Sequence, residues 1–158
     1  GSPMEAVIIR PPLVYGPGVR ANFAALIAAI KRGWPLPIAA IDNRRSLIAA
    51  DNLVDLIVTC MHHPAAVGET FLASDDDDLS TPELVRRLGV ALGRPAHIFA
   101  VPPGVLLAGA SLVGKGDMVR RLVDSLQVDI EKARTLLGWS PALTVDEGLR
   151  LTVQHERR

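Results

Sequence analysis

The sequence predicts an α/β fold in which a few short parallel strands come early and helices dominate late. Three observations carry this. Ala6-Val7-Ile8-Ile9 is a continuous apolar, largely β-branched run, as expected of a strand buried on both faces of a parallel sheet. Strand-like and helix-like patterns then alternate, with further strands read at residues 44–48, 69–74 and 97–101. Two stretches, Ser80-Thr81-Pro82-Glu83 and Thr144-Val145-Asp146-Glu147, have the spacing of a capping box, in which a hydroxyl and a carboxylate reciprocally satisfy the first backbone donors of a helix.

The elements follow in order. Pro11 and Pro12 cannot donate to a ladder, so strand pairing is predicted to stop there, in a chain reversal eased by Gly16 and Gly18. Ligands of open α/β sheets sit beyond the carboxyl ends of strands, which makes this loop the first place to look for one. Asn22 is read as the cap of a helix with Phe23, Leu26, Ile27 and Ile30 on one face and Gly33 at its end. The alternating prolines of 34–38 force an extended segment. Asp42 and Asn43 make a turn, and Asp51 is read as the cap of a helix that stops before Pro64. Leu84, Leu88 and Leu92 mark a helix closed by Gly93, and residues 104–113 and 117–123 two more. Asp129 is read as the cap of a helix over 130–137, with Gly138 ending it.

With 158 residues, one domain is expected, large enough to bury a core. Lysine plus arginine balances aspartate plus glutamate at 17 each, so no global field recruits nucleic acid or an anionic membrane, and neither is expected as a partner. Any anion site must be local. Cys60 is the single cysteine, which excludes an internal disulfide and a multi-cysteine metal site and fits a reducing, cytoplasmic setting. Residues 101–113 are too short and proline-broken for a membrane span. Gly1-Ser2-Pro3 is read as a cloning remnant, leaving residues 4–158 as one unit that opens on a strand.

Arg44 and Arg45, and Arg120 and Arg121, are two basic clusters whose planar guanidinium groups suit phosphate oxygens, although solvated edge charges explain them as well. Gly109 to Lys115 imitates a phosphate loop, but Gly116 follows the lysine and no strand precedes it. Cys60, His62 and His63 diverge around a helix end, and Asp75 to Asp78 lacks the spacing of a calcium loop, so no metal is expected. The sequence has no G-x-G-x-x-G, and its only tyrosine, Tyr15, has Val19 four residues on. No catalytic residue is assigned.

Arg10-Pro11-Pro12-Leu13-Val14-Tyr15-Gly16-Pro17-Gly18, with Asn22-Phe23, Pro35-Leu36-Pro37-Ile38, Arg45-Ser46, Asp51-Asn52-Leu53-Val54-Asp55 and Leu136-Leu137-Gly138-Trp139, resembles the C-terminal, substrate-binding half of an extended short-chain dehydrogenase/reductase. Within that group it is similar to the NAD-dependent nucleotide-sugar epimerases and dehydratases of the UDP-glucose 4-epimerase type. The resemblance implies a substrate lobe carrying the last strands of a Rossmann sheet, with the glycine-loop half absent. It implies NAD in the complete parent, no tight NAD binding by this chain alone, and no turnover without the missing Tyr-x-x-x-Lys. It places Pro11 and Pro12 near the nicotinamide, and a UDP-sugar on Asn22, Leu36, Pro37, Ile38, Arg45, Arg121 (or its neighbour Arg120) and Asp124. Leu13 departs from the asparagine usual in the epimerases, which leaves a UDP-N-acetylhexosamine 4-reductase open beside the 4-epimerase. A non-enzymatic NAD(P)-sensing relative and a free-standing binding module are the rival readings. Lacking its other half, the chain is expected to expose a strand edge and to associate with itself.

Overall fold

A computed structural model describes residues 5–18 and 22–155. Strand β1 (Ile8–Arg10) pairs in parallel with β4 (Thr70–Leu72), and β2 (Leu13–Tyr15) pairs in parallel with β3 (Leu47–Ala49). Pro11 and Pro12 therefore interrupt pairing without ending it, contrary to the expectation. The two residues that cannot donate free the chain from β4, and Leu13 resumes pairing with a different partner. The expectation of a strand buried on both faces also fails. Val7 and Ile9 pack against the core, whereas Ile8 is 51% exposed and Arg10 is exposed, because no described residue covers that face.

Seven helices follow among the described residues: α1 (Asn22–Arg32), α2 (Ala50–His62), α3 (Thr81–Leu92), α4 (Pro103–Leu112), α5 (Gly116–Val123), α6 (Glu131–Leu137) and α7 (Val145–His155). Both capping motifs form where the spacing predicts them. The Ser80 hydroxyl accepts from the Glu83 N–H at 3.2 Å, although the Glu83 carboxylate turns to Arg87. Thr144 and Glu147 bond reciprocally at 3.3 and 2.8 Å. Gly33, Gly93 and Gly138 end their helices in the left-handed region, where a side chain would be strained.

Three readings shift. Asp51 lies inside the first turn of α2, and the capping position falls on Ala49, whose N–H donates to the buried Asp75 carboxylate at 3.0 Å. Asp129 accepts from Glu131, which starts α6 one residue later than predicted. Residues 97–101 form no named strand. Their part is a single parallel bridge, Leu36 to Ile98, which pairs them with the extended proline segment.

Strand β3 divides the core. Leu47 and Ala49 face a cluster built from Tyr15, Phe23, Ile27, Leu88 and Leu149, while Ile48 faces another that holds Leu56, Phe71, Leu137 and Trp139. This is the period-2 alternation of a strand buried on both faces.

Candidate functional site

Residues 44–46 run between two neighbours. Arg45 exchanges backbone hydrogen bonds with Leu79 at 2.9 and 3.0 Å, while Ser46 N–H donates to Leu126 and Leu126 N–H to Arg44. This three-stranded crossing fixes Arg45 between the start of α3 and the segment after α5. Asn43, almost fully buried, locks the same junction. Its Oδ1 accepts from Thr81 N–H at 2.8 Å, and its Nδ2 lies 3.0 Å from Thr81 Oγ1, 3.0 Å from Leu122 O and 3.2 Å from Asp124 O. The Thr81 hydroxyl donates to Leu122 O at 2.6 Å. The free carbonyls at the C-terminal end of α5 are thus taken by side chains, as a helix end away from water requires.

A cavity of about 210 Å³ opens at this junction. Leu13, Phe23, Leu26 and Leu84 supply much of its apolar wall, and Arg45 and Arg121 also line it. One terminal nitrogen of Arg45, Nη1, donates to the backbone carbonyl of Arg121. Its Nε is buried with no hydrogen-bond partner in the protein, and a buried donor left in that state is costly unless something binds it. An anion that offers pairs of oxygens, such as a phosphate, is the natural complement to two guanidinium groups above an apolar floor.

The structure thus brings two of the predicted residues, Arg45 and Arg121, to one cavity. Asp124 lies exposed at the end of α5 and contributes its backbone carbonyl to the Asn43 clamp. Leu36, Pro37 and Ile38 stand apart from the cavity. Leu36 spends its N–H on His97 and its carbonyl on Phe99 and Ile38, and Ile38 is part of the core. Pro11, exposed, and Pro12, half-buried, form the junction between β1 and β2. The proposed capping by Asn22 falls on a side chain outside the described residues, as do residues 19–21 before it. Asn43, Thr81 and Phe23 were not identified from sequence as part of the site. An Asp-Asn pair signals a turn whether or not its amide later clamps a helix eighty residues away, so only the fold reveals that role.

A second polar cluster lies beneath the site. The Asp75 carboxylate accepts from Tyr15 OH at 2.6 Å, from Asn52 Nδ2 at 2.7 Å and from Ala49 N–H. Burial, reinforced by the Asp75 hydrogen bond, pushes the Tyr15 phenol far above its ordinary value, so it keeps its proton and cannot serve as a base. The run after it divides its labour: Asp76 pairs with Arg134, Asp77 with Arg87, and Asp78 accepts from Gln127. Among the described residues no cluster of three or more histidine, cysteine or acidic side chains could hold a metal, and no helix is long and apolar enough to cross a membrane.

Residues 2–73 match the model of the NAD dependent epimerase/dehydratase family. The chain is 50% identical over 154 residues to the UDP-glucose 4-epimerase of Vibrio cholerae, a match covering 97% of this chain and 47% of that protein. Its fold is shared with the UDP-glucose 4-epimerase of Thermotoga maritima solved with UDP-glucose, at a TM-score of 0.69 and 23% identity over 98% of this chain and 46% of that one. It is shared equally with the UDP-glucuronic acid 4-epimerase of Bacillus cereus in complex with NAD, at a TM-score of 0.69 and 22% identity over 96% and 44% of the two chains. The chain spans about half the length of the relatives it matches. The chain is thus similar to the NAD dependent epimerase/dehydratase family over residues 2–73 and, over nearly all of its length, to about half of a UDP-glucose 4-epimerase, and it shares its α/β fold with part of the solved epimerases.

Proposed function

We propose that this chain is the nucleotide-sugar-binding portion of an NAD-dependent sugar 4-epimerase, and that the diphosphate of a UDP-sugar sits between Arg45 and Arg121. The observation that carries this reading is the convergence of the two arginines on one apolar-walled cavity, with the Arg45 Nε–H buried and unpartnered. In this reading Asp124 takes the ribose, Leu36, Pro37 and Ile38 flank the base, and the family resemblance assigns Asn22 to the diphosphate. Pro11 and Pro12 approach the nicotinamide only when the other half of the enzyme is present. NAD, when bound, would take up and return the hydride; this chain binds and orients the sugar nucleotide and has no turnover alone.

The other half of such an enzyme would extend the sheet along the free edge of β1, which pairs only with β4 among the described residues. It would also cover the outward stripe of α2 formed by Val54, Ile57, Val58 and Met61. Leu13 favours a second reading, a 4-reductase acting on UDP-N-acetylhexosamines. This residue lines the cavity where the epimerase pattern has an amide.

Calorimetric titration with UDP, UDP-glucose and UDP-N-acetylglucosamine tests the proposal. Binding is expected to weaken about ten-fold or more in Arg45→Ala, the equivalent of one charge-assisted hydrogen bond. A ranking led by the N-acetyl sugar supports the reductase. Equal affinity in the wild type and Arg45→Ala would overturn the assignment of the diphosphate to this cavity.

A further inference from the structure

Apart from Arg45 and Arg121, the cavity between α3 and α5 is walled almost wholly by hydrocarbon: Leu13, Phe23, Leu26, Leu47, Leu79 and Leu84 all line it. Its two hydroxyls are engaged within the protein, Ser80 accepting from Glu83 N–H and Thr81 donating to Leu122 O. Among the described residues, no carboxylate or amide side chain lines it. Away from the arginines, a ring N–H, a carbonyl or a diol seated here finds little to pair with, and a polar edge buried against leucine without a partner is costly. The segment assigned to the base is no better supplied. Leu36 gives its N–H to His97, its carbonyl accepts from Phe99 and Ile38, Ala39 N–H is held by Phe99 O, and Pro37 has no N–H.

We propose that this site takes, beside a UDP-sugar, a sugar diphosphate whose carrier is a hydrocarbon chain of the prenyl type. The inference rests on the assignment of the diphosphate to Arg45 and Arg121. In that reading the sugar must face NAD, which belongs with the other half of the enzyme. The group left against this chain's wall is then the carrier on the far side of the diphosphate. An anionic head with an apolar tail suits both parts of the cavity. The head supplies a partner for the buried Arg45 Nε–H. The branched tail fills a space bounded by leucines, where each apolar carbon removed from water adds to affinity. Leu13 shows the gain most directly: it is 38% exposed, so a hydrocarbon chain covers apolar surface that the protein leaves in contact with water. A nucleoside gains less from the same wall, because its polar edges lose water there without replacement.

Calorimetric titration of the chain with geranyl diphosphate, UDP and geraniol tests this. Geranyl diphosphate is expected to bind at least as tightly as UDP, and geraniol, which has the tail without the anion, about ten-fold or more weakly. Arg45→Ala weakens both diphosphates together. Leu13→Asn lowers the affinity for geranyl diphosphate about five-fold relative to that for UDP, while its circular dichroism matches the wild type. Leu26→Gln, at a half-buried position on α1, is a second probe of the same wall and shifts the ratio in the same direction. UDP binding that needs Arg45, with no binding of geranyl diphosphate, overturns this proposal and leaves the diphosphate assignment standing. So does a ratio of the two affinities that both leucine variants leave unchanged. Binding of both diphosphates that is indifferent to Arg45→Ala, or binding of neither, overturns the assignment of the anion and the proposal with it.

Discussion

Gly148 sits where α7 crosses Tyr15, and a Cβ there would lie 2.6 Å from the phenolic oxygen and 2.9 Å from the ring. Tyr15 cannot yield, because its hydroxyl is held by Asp75 at 2.6 Å and its ring stacks on Phe23 with centroids 5.9 Å apart. Two effects compete in Gly148→Ala. Replacing glycine inside a helix gains up to about 1 kcal/mol, while overpacking a rigid contact costs about 1–3 kcal/mol. The clash is the larger, so Gly148→Ala is expected to lower the urea midpoint; a midpoint raised above the wild type would show that Tyr15 moves freely. Asn43 and Asp75 act at the same scale. Each is a buried polar group whose partners come from segments remote in sequence, and neither role can be seen in a local window.

At the scale of elements, the capping box before α7 was fully legible because all its parties lie within four residues. The Glu147 carboxylate is held below its ordinary value first by the Thr144 backbone N–H and then by the Thr144 hydroxyl. A depressed carboxylate contributes stability that is present above its unfolded pKa and is lost as pH falls through the folded one. Thr144→Ala is expected to cost about 1 kcal/mol near neutral pH. The gap from the wild type should narrow in acid as Glu147 protonates; a gap that stays constant in denaturation curves down to acid pH would remove Glu147 from the account. The strands were less legible for the converse reason. A window around Pro11 and Pro12 shows that donors are missing, but not that β2 finds β3 thirty residues later. The four aspartates from Asp75 read as one acidic run, yet they separate into a buried hub, two ion pairs and an acceptor once their neighbours are known. Of the candidate site, Arg45 and Arg121 are named by the family pattern, and the Asn43 clamp beside them is not.

At the level of the whole molecule, the described residues leave a face uncovered along β1 and α2. Strand β1 has a partner on one side only among the described residues, Ile8 is half exposed, and Met61 stands 74% exposed on α2 beside it. Glu5, Val7, Ile9, Ile57, Cys60 and Met61 help line a groove of about 540 Å³ between strand and helix. An unpaired edge next to apolar side chains is a template for another strand. It offers backbone donors and acceptors as well as apolar area, so here a second copy can bind. The chain alone is therefore expected to associate, with a light-scattering mass that rises above the monomer as concentration increases. Ile8→Lys, which places a charge on the edge without touching the core, should return it to monomer. A strictly monomeric mass at high concentration would mean that the groove closes on itself and that the edge is protected from within. A mass that rises but ignores Ile8→Lys would move the contact away from β1, and with it the place where the other half of an epimerase would dock.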